Sequence, residues 1–370
     1  MRIGVPRERK DGERRVAVTP DGVAVLTRAG HDVVVERGAG ERCGFSDASY
    51  VAAGATLAAD VAAVYGCRLM VKVKELQREE IGLMEPSTTV FGFAQLGRDP
   101  ALLEGVLASR IGIIGYETVG DGRGHLPLLA PMSRIAGRLA PLIAASLLMN
   151  DHGGAGVLLP GVDAVAPGRV VIVGAGNVGS EAARVALALG TTVTVFARTL
   201  TRQAALRASC DATAASRLRT ALGDPASLAA AIADADVLIG AVLVPGRLSP
   251  KLVSRPMLRA MRAGSVFIDV GIDQGGIGET SRMTSISAPT FVDEGIVHYG
   301  VPNMPALVAR TATLALSQVT LPRVRLLADL GVAGALRADA DLRAGLQVWD
   351  GAIVHPALAA DAGVPVTPWE

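Results

Sequence analysis

The sequence predicts an α/β protein of two doubly wound domains, each built on a parallel sheet, with a cleft between them. Three observations predict it. Short runs rich in Val, Ile and Leu recur along the chain, each bounded by glycine, proline or a charged residue, as strands buried on both faces require. Segments with helical periodicity separate these runs, the order that lays helices over the faces of a sheet. The chain has 370 residues, enough for two such domains with a core apiece.

Taken in order, residues 2–6 form a strand, residues 19–29 an amphipathic helix opened by Thr-Pro, and residues 32–36 a second strand. Asp47 is placed to cap a helix through residue 53, because a short carboxylate can accept from the free amides of a first turn. Residues 69–73 and 88–94 read as buried strands, and 111–116 as another, ended by Glu117. A long helix over 133–150 leads to Gly153-Gly-Ala-Gly156 and a second α/β unit. Its strands are 170–173, 191–196, 237–242, 265–270 and one near 296–299, with a helix over 180–189. A helical pattern over 305–328 crosses back and returns the tail to the first domain. The expected domains are 1–128 plus 306–370, and 129–305, with the cleft between them as the default site.

One segment carries chemistry outright. Val170-Val-Ile-Val-Gly174-Ala-Gly176-Asn-Val-Gly179-Ser runs from a strand through a glycine turn into an alanine-rich helix, the Rossmann arrangement that receives a dinucleotide pyrophosphate. Gly174 permits the tight turn, Gly176 lets the backbone approach the phosphates, and Gly179 lets helix and strand pack closely. Asn177 and Val178 lie at the helix N-terminus, whose amides and positive dipole end face the anion. About 20 residues on, an NAD site needs an acidic side chain for the ribose hydroxyls. Ala197 stands there instead, followed by Arg198 and Thr199, with Arg202 one turn later. Alanine removes the carboxylate that would repel a 2′-phosphate, and a guanidinium can grip that phosphate through charge-assisted hydrogen bonds. NADPH (NADP) is therefore expected in preference to NADH.

Composition excludes several alternatives. A formal net charge of +1 argues against nucleic acid or an anionic membrane as the main partner. The chain is 50% hydrophobic, yet charges interrupt every long apolar run before it could span a bilayer. Met1-Arg-Ile-Gly-Val-Pro starts a strand with no secretory pattern, and three scattered cysteines (Cys43, Cys67, Cys210) suit a reducing cytoplasm and have no metal-binding spacing.

Six segments then resemble one family, alanine dehydrogenase: Gly4-Val-Pro-Arg-Glu, Glu13-Arg-Arg-Val-Ala-Val-Thr-Pro20, Val71-Lys-Val-Lys-Glu75, Leu126-Pro-Leu-Leu-Ala-Pro-Met-Ser133, Gly271-Ile-Asp-Gln-Gly-Gly276 and Val301-Pro-Asn-Met-Pro305. The likeness runs nearly end to end in the same order. It implies hydride transfer between a nicotinamide and an α-carbon bearing nitrogen, on a small carboxylate substrate, in a homo-oligomer that is usually a hexamer. Position by position, Arg15 matches the arginine that holds the substrate carboxylate and Lys74 the lysine on the carboxylate and carbonyl side. Asp273 matches the second active-site acid beside the nicotinamide. Ser133, Val242, Leu243, Arg282, Asn303 and Met304 match cofactor-contacting positions. Plainer readings stay open: Arg15 in a charged run as surface, Lys74 as a strand-end cap, Asp273 as an Asx-turn former.

One departure matters for mechanism. The family's other catalytic residue is a histidine, and in Val90-Phe-Gly-Phe-Ala-Gln95-Leu-Gly its place falls to Gln95. Imidazole exchanges protons near neutrality, whereas an amide donates and accepts hydrogen bonds without acid–base work. Among the five histidines none sits in the matching motif, and His298 is nearest the cofactor-facing segment 301–304. The two departures together suggest an NADPH-dependent, biosynthetic reductase of a C=N bond or a 2-oxo or imino acid. The alternatives are an NADP-dependent alanine dehydrogenase and an inactive NADPH-binding homologue.

Overall fold

The computed structural model describes residues 1–242 and 248–369. The chain divides into two compact units, Met1–Met132 with Ala306–Glu370, and Ser133–Pro305. Strands β1 (Arg2–Val5), β2 (Asp32–Val35), β3 (Thr56–Leu57), β4 (Leu69–Val71), β5 (Thr89–Gly92) and β6 (Gly112–Gly115) come first, interleaved with helices α1 (Pro20–Arg28), α2 (Asp47–Ala52), α3 (Arg78–Ile81) and α4 (Pro100–Ser109). Helix α5 (Ala130–Leu147) follows. Next come β7 (Arg169–Val173), α6 (Asn177–Ala188), β8 (Thr192–Ala197), α7 (Leu200–Ala208) and β9 (Leu218–Leu222). Then β10 (Val237–Gly240), β11 (Val266–Asp269), β12 (Thr290–Asp293) and β13 (Ile296–Tyr299) complete the second unit. Helix α8 (Ala309–Ala338) and strands β14 (Leu346–Trp349) and β15 (Ala352–Ile353) belong to the first.

The first unit's sheet has the order β15-β14-β6-β5-β4-β1-β2-β3. Its six N-terminal strands are parallel, and β14 adds antiparallel to β6. Strand β1 lies between β4 and β2, so the winding reverses there and the carboxyl ends of β1 and β4 part to leave a crevice. The core under this sheet joins Met70, Val90 and Ile113 to Leu102, Leu103 and Val106, the buried face of α4.

Helix ends follow local hydrogen-bond supply. Thr19 Oγ1 accepts from Gly22 N at 3.1 Å at the start of α1. At α2 the sequence expectation needs correction: the cap is Ser46, whose hydroxyl accepts from Ser49 N at 3.2 Å. Asp47 sits in the first turn and accepts instead from Gly38 N at 2.8 Å. Helix α8 also runs ten residues beyond the predicted 328, with Gly331 at φ 71° bending its path. Its continuation buries Val332, Ala335 and Leu336, which is what holds it helical past the bend.

The second unit has the order β12-β13-β11-β10-β7-β8-β9, all parallel except β12. Central β7 is covered on both faces. Val170 and Ile172 pack with Ala182, Ala183 and Ala186, while Val171 and Val173 pack with Leu228 and Leu258. Burying each such side chain contributes about 1.5–3 kcal/mol, so the strand has no use for alternating polar residues. Strand β7 lies between β8 and β10, which puts this unit's switch point at the glycine turn. Among the described residues no helix is long and apolar enough to cross a membrane, and the three cysteines are free thiols.

Candidate active site

The glycine turn leaves β7 at the carboxyl edge of the second sheet. Gly174 has φ +110°, and a Cβ there would meet Ala241 O at 2.4 Å, so only glycine fits. At Gly179 a Cβ would lie 1.8 Å from Gly174 O, which forces α6 against the turn. At Gly176 an added Cβ would meet nothing within 4 Å, so this side of the backbone is open to a ligand. Gly176 caps α6, with Asn177 exposed and Val178 half-buried in its first turn. A 12-residue helix thus begins with amides that no side chain caps, an arrangement suited to a pyrophosphate.

Strand β8 ends at Ala197, which is 2% exposed, and the chain then turns outward. Arg198 and Arg202 are exposed, and Thr199 caps α7 by accepting from Arg202 N at 3.3 Å. The segment after β10 meets the glycine turn, at Ala241 and Val242, and the loop after β11 packs on that segment in turn. Val242 O would be 2.8 Å from a Cβ on Gly271, the residue before the turn that carries half-buried Asp273. Leu243 lies outside the described residues. Arg282 O approaches Gly300, and the Arg282 guanidinium lies 3.8 Å from the centroid of the Phe291 ring. Asn303 adopts φ 60°, a left-handed conformation that asparagine tolerates better than most residues. Met304 is 2% exposed in the core of this unit, and Ser133 lies inside α5 rather than at its start.

Asp269, which sequence reading passed over, anchors the β11 loop. Its Oδ2 accepts from Ile277 N at 2.7 Å and Ser281 Oγ at 2.5 Å. Burial pushes its pKa up. His298 is committed to structure. Its Nδ1 faces Ile296 O at 2.9 Å, so that nitrogen must donate, and Nε2 then accepts from Thr280 Oγ1 at 2.8 Å. The ring stacks on Phe291 at 4.7 Å, and burial lowers its pKa, keeping it neutral.

In the first unit, the candidate residues gather at the carboxyl edge of the sheet. Arg15 is buried, not a surface charge: Nε and Nη2 donate to the two carboxylate oxygens of Glu13 at 2.7 and 2.6 Å, and Nη1 lies 3.1 Å from Met132 Sδ. Lys74 follows β4, is 6% exposed, and its Nζ lies 3.3 Å from Glu75 Oε2. Glu8 secures that strand end by accepting from Val73 N at 2.6 Å and Lys74 N at 3.3 Å. Beneath it, fully buried Lys72 donates to Glu80 Oε1 at 2.5 Å and lies 3.6 Å from Glu8 Oε2, while Tyr65 also donates to Glu80. Desolvation raises the Glu8 pKa despite Lys72; at Lys72 desolvation opposes the charge, but the two carboxylates outweigh it and raise the pKa.

Gln95 follows the neighbouring strand β5, and Lys74 borders the same small hollow as Phe93, Ala94 and Leu96. Its backbone is left-handed, at φ 47° and ψ 31°. Glu117, after β6, stabilises that conformation by accepting from Gln95 N at 2.7 Å and Ala94 N at 3.2 Å. Gln347 of β14 in turn donates to Glu117 at 3.2 Å. Arg98 Nη1 donates to Gln95 Oε1 at 3.1 Å. Glu8, Glu13, Glu117 and Arg98 were not singled out from sequence. A charge next to an apolar strand end was the one available sign for Glu8 and Glu117.

Profiles described as alanine dehydrogenase/PNT, N-terminal domain and C-terminal domain, match residues 4–136 and 140–356. The chain belongs to the alanine dehydrogenase family. It is 47% identical over 365 residues to an alanine dehydrogenase of Halomonas elongata, spanning 98% of this chain and 97% of the relative. With an alanine dehydrogenase of Bacillus subtilis the identity is 42% over 371 aligned positions, spanning 100% and 97%. A solved L-alanine dehydrogenase superposes with a TM-score of 0.94 at 43% identity, covering 98% of this chain and 99% of the other. A transhydrogenase from Sinorhizobium meliloti, at 24% identity and a TM-score of 0.81, shares the fold. The α/β architecture of two parallel-dominated sheets is thus that of this family.

Proposed function

We propose that this member of the alanine dehydrogenase family is an NADPH-dependent oxidoreductase that reduces a C=N bond, or a 2-oxo or imino acid, on a carboxylate-bearing substrate. The observation that carries the reading is Gln95: the strand end beside Lys74 supplies an amide where the family resemblance expects an imidazole. A substrate arriving as a preformed imine needs orientation and one proton, and no acid–base residue to build the imine from ammonia. The cofactor half rests on Ala197, Arg198 and Arg202. They offer a 2′-phosphate two exposed guanidiniums and no carboxylate.

In this reading the glycine turn and the first amides of α6 hold the pyrophosphate, and Asp273 with Arg282 and Asn303 lines the nicotinamide side. Bound NADPH supplies the hydride. The buried Arg15 guanidinium, oriented by Glu13, takes the substrate carboxylate, and the Lys74 ammonium holds the carbonyl or imine side and delivers the proton. Gln95 donates a hydrogen bond to the reacting group. The substrate-binding unit is 1–128 plus 306–370 and the nucleotide-binding unit 129–305, working in a cytoplasmic homo-oligomer, hexameric by family resemblance. The full-length likeness to enzymes named alanine dehydrogenase favours a second reading, reductive amination of pyruvate with NADPH. Loss of activity is disfavoured, since a protein that only binds nucleotide has no use for Arg15, Lys74 and Asp273.

Initial rates of NADPH oxidation separate these readings, with pyruvate plus ammonium, with cyclic imino acids, and with NADH as control. Faster turnover of imino acids with NADPH supports the proposal. Equal or better rates with NADH overturn the cofactor assignment, and rapid pyruvate amination selects the second reading.

A further inference from the structure

Arginine has donors only, so the atom that Arg98 Nη1 meets at 3.1 Å must be the oxygen of the Gln95 amide. The amide is thereby fixed: its oxygen turns to Arg98, and its NH2 is left to point elsewhere. That NH2 has no hydrogen-bond partner among the described residues. The backbone is equally constrained, because Glu117 accepts from both Ala94 N and Gln95 N and so stabilises a left-handed residue that would otherwise relax. Position 95 is therefore biased toward donation. With its oxygen engaged by Arg98, the group it offers a substrate is the NH2, a donor to a lone pair, with a guanidinium behind the amide to polarise it further.

We propose that Arg98 sets Gln95 as a hydrogen-bond donor to the reacting oxygen of a 2-oxo acid, giving the protein an ammonia-independent 2-oxo acid reductase activity. This rests on the reading above, in which the β4–β5 strand ends receive the substrate. The step is balanced: hydride from NADPH forms the C–H bond, the C=O π pair moves to oxygen, and that oxygen takes a proton from Lys74 or water. The products are a 2-hydroxy acid and NADP⁺. A donor that meets the developing alkoxide lowers the barrier as oxyanion donors do, whereas a protonated iminium carbon–nitrogen bond offers this amide no lone pair. Gln95 then contacts the reacting atoms, and Arg98 is a positioning residue.

The test measures NADPH oxidation by pyruvate and larger 2-oxo acids with and without ammonium, and identifies products by chiral chromatography with mass detection. The expected result is 2-hydroxy acid in ammonium-free reactions. Arg98→Ala should lower the ratio of hydroxy to amino product about tenfold, through kcat rather than KM, and Arg98→Lys should restore most of it. Arg98 is exposed, and a melting curve verifies that its variants fold. Gln95→His should shift the ratio further toward the amino acid. Absence of 2-hydroxy acid while imines or amination turn over, or an equal effect of Arg98→Ala on both products, overturns this proposal and leaves the broader reading standing. Absence of NADPH oxidation with every oxo acid and imine, with NADPH bound, overturns both.

Discussion

Exchanging the pair at the end of β8, Ala197→Asp with Arg198→Ala, should invert cofactor preference. Ala197 is the last residue of the strand and the chain turns outward directly after it, so an aspartate there carries its carboxylate to the solvent edge where the ribose is expected. Against a 2′-phosphate dianion about 5 Å away, at an effective dielectric near 80 for an exposed edge, each unit of charge is repelled by about 0.8 kcal/mol, or about 1.5 kcal/mol together. Losing one charge-assisted guanidinium contact removes about 1–2 kcal/mol more, taking the low end because Arg198 is exposed. Arg202 remains and returns some of this. The sum, about 2–3 kcal/mol, is a loss of about 30- to 200-fold in NADPH affinity. NADH should gain modestly, because its ribose hydroxyls acquire an acceptor. Fluorescence titration with both nucleotides measures the ratio at fixed salt. A change of less than about fivefold would refute the assignment, since the carboxylate–phosphate repulsion of about 1.5 kcal/mol alone is more than tenfold.

Three further outcomes follow from the packing. Gly179→Ala places a Cβ 1.8 Å from Gly174 O. It should displace α6, cost about 3 kcal/mol or more in a denaturant melt, and abolish tight nucleotide binding; a wild-type melt would contradict this packing. Lys72→Met leaves Glu8 and Glu80 facing each other without their shared cation, at a cost of about 3–5 kcal/mol. Burial already holds the Glu8 pKa above 4.5, so its contribution is full below that value and lost as pH rises through the folded pKa. The variant's deficit should therefore be smallest near pH 4.5 and widen toward neutrality, and melts across that range would expose a flat difference. His298→Ala should lower stability by about 2 kcal/mol through the lost stack and the Thr280 hydrogen bond, while the pH profile of turnover stays in place. With its pKa below 6.5, His298 makes the folded state lose stability as pH falls beneath that value, and the alanine variant should show a shallower loss. A displaced turnover profile would mean that His298 exchanges protons in the reaction.

The parts of the chain that were legible from sequence are those where one residue type has no substitute. A φ of +110° at Gly174 and a 1.8 Å approach at Gly179 admit only glycine, so their spacing is informative in the sequence alone. The uninterrupted apolar run of β7 is equally direct, because both faces of that strand are buried. Elsewhere the chemistry was ambiguous. Ser46 and Asp47 are both good caps, and an amide at Gly38 decided between them. The pairing of Glu13 with Arg15 hides in a charged run that has the composition of a solvated surface. Glu117 reads as a strand terminus, since its partner Gln347 lies 230 residues further along the chain. Strands of four and two residues, β14 and β15, are too short for their alternation to register.

That last pairing bears on how the protein is made. The nucleotide-type unit, Ser133–Pro305, is one uninterrupted stretch and has its whole sheet once residue 305 has been synthesised. The sheet bearing Lys74 and Gln95 starts earlier but finishes later, because β14 must still close its β6 edge and bring Gln347 to Glu117. On a ribosome working from the N-terminus, Met1–Met132 wait with an open strand edge while the inserted unit folds. A truncated or stalled chain would then carry the glycine turn intact, yet lack the β14 edge and the Gln347 contact that backs Glu117.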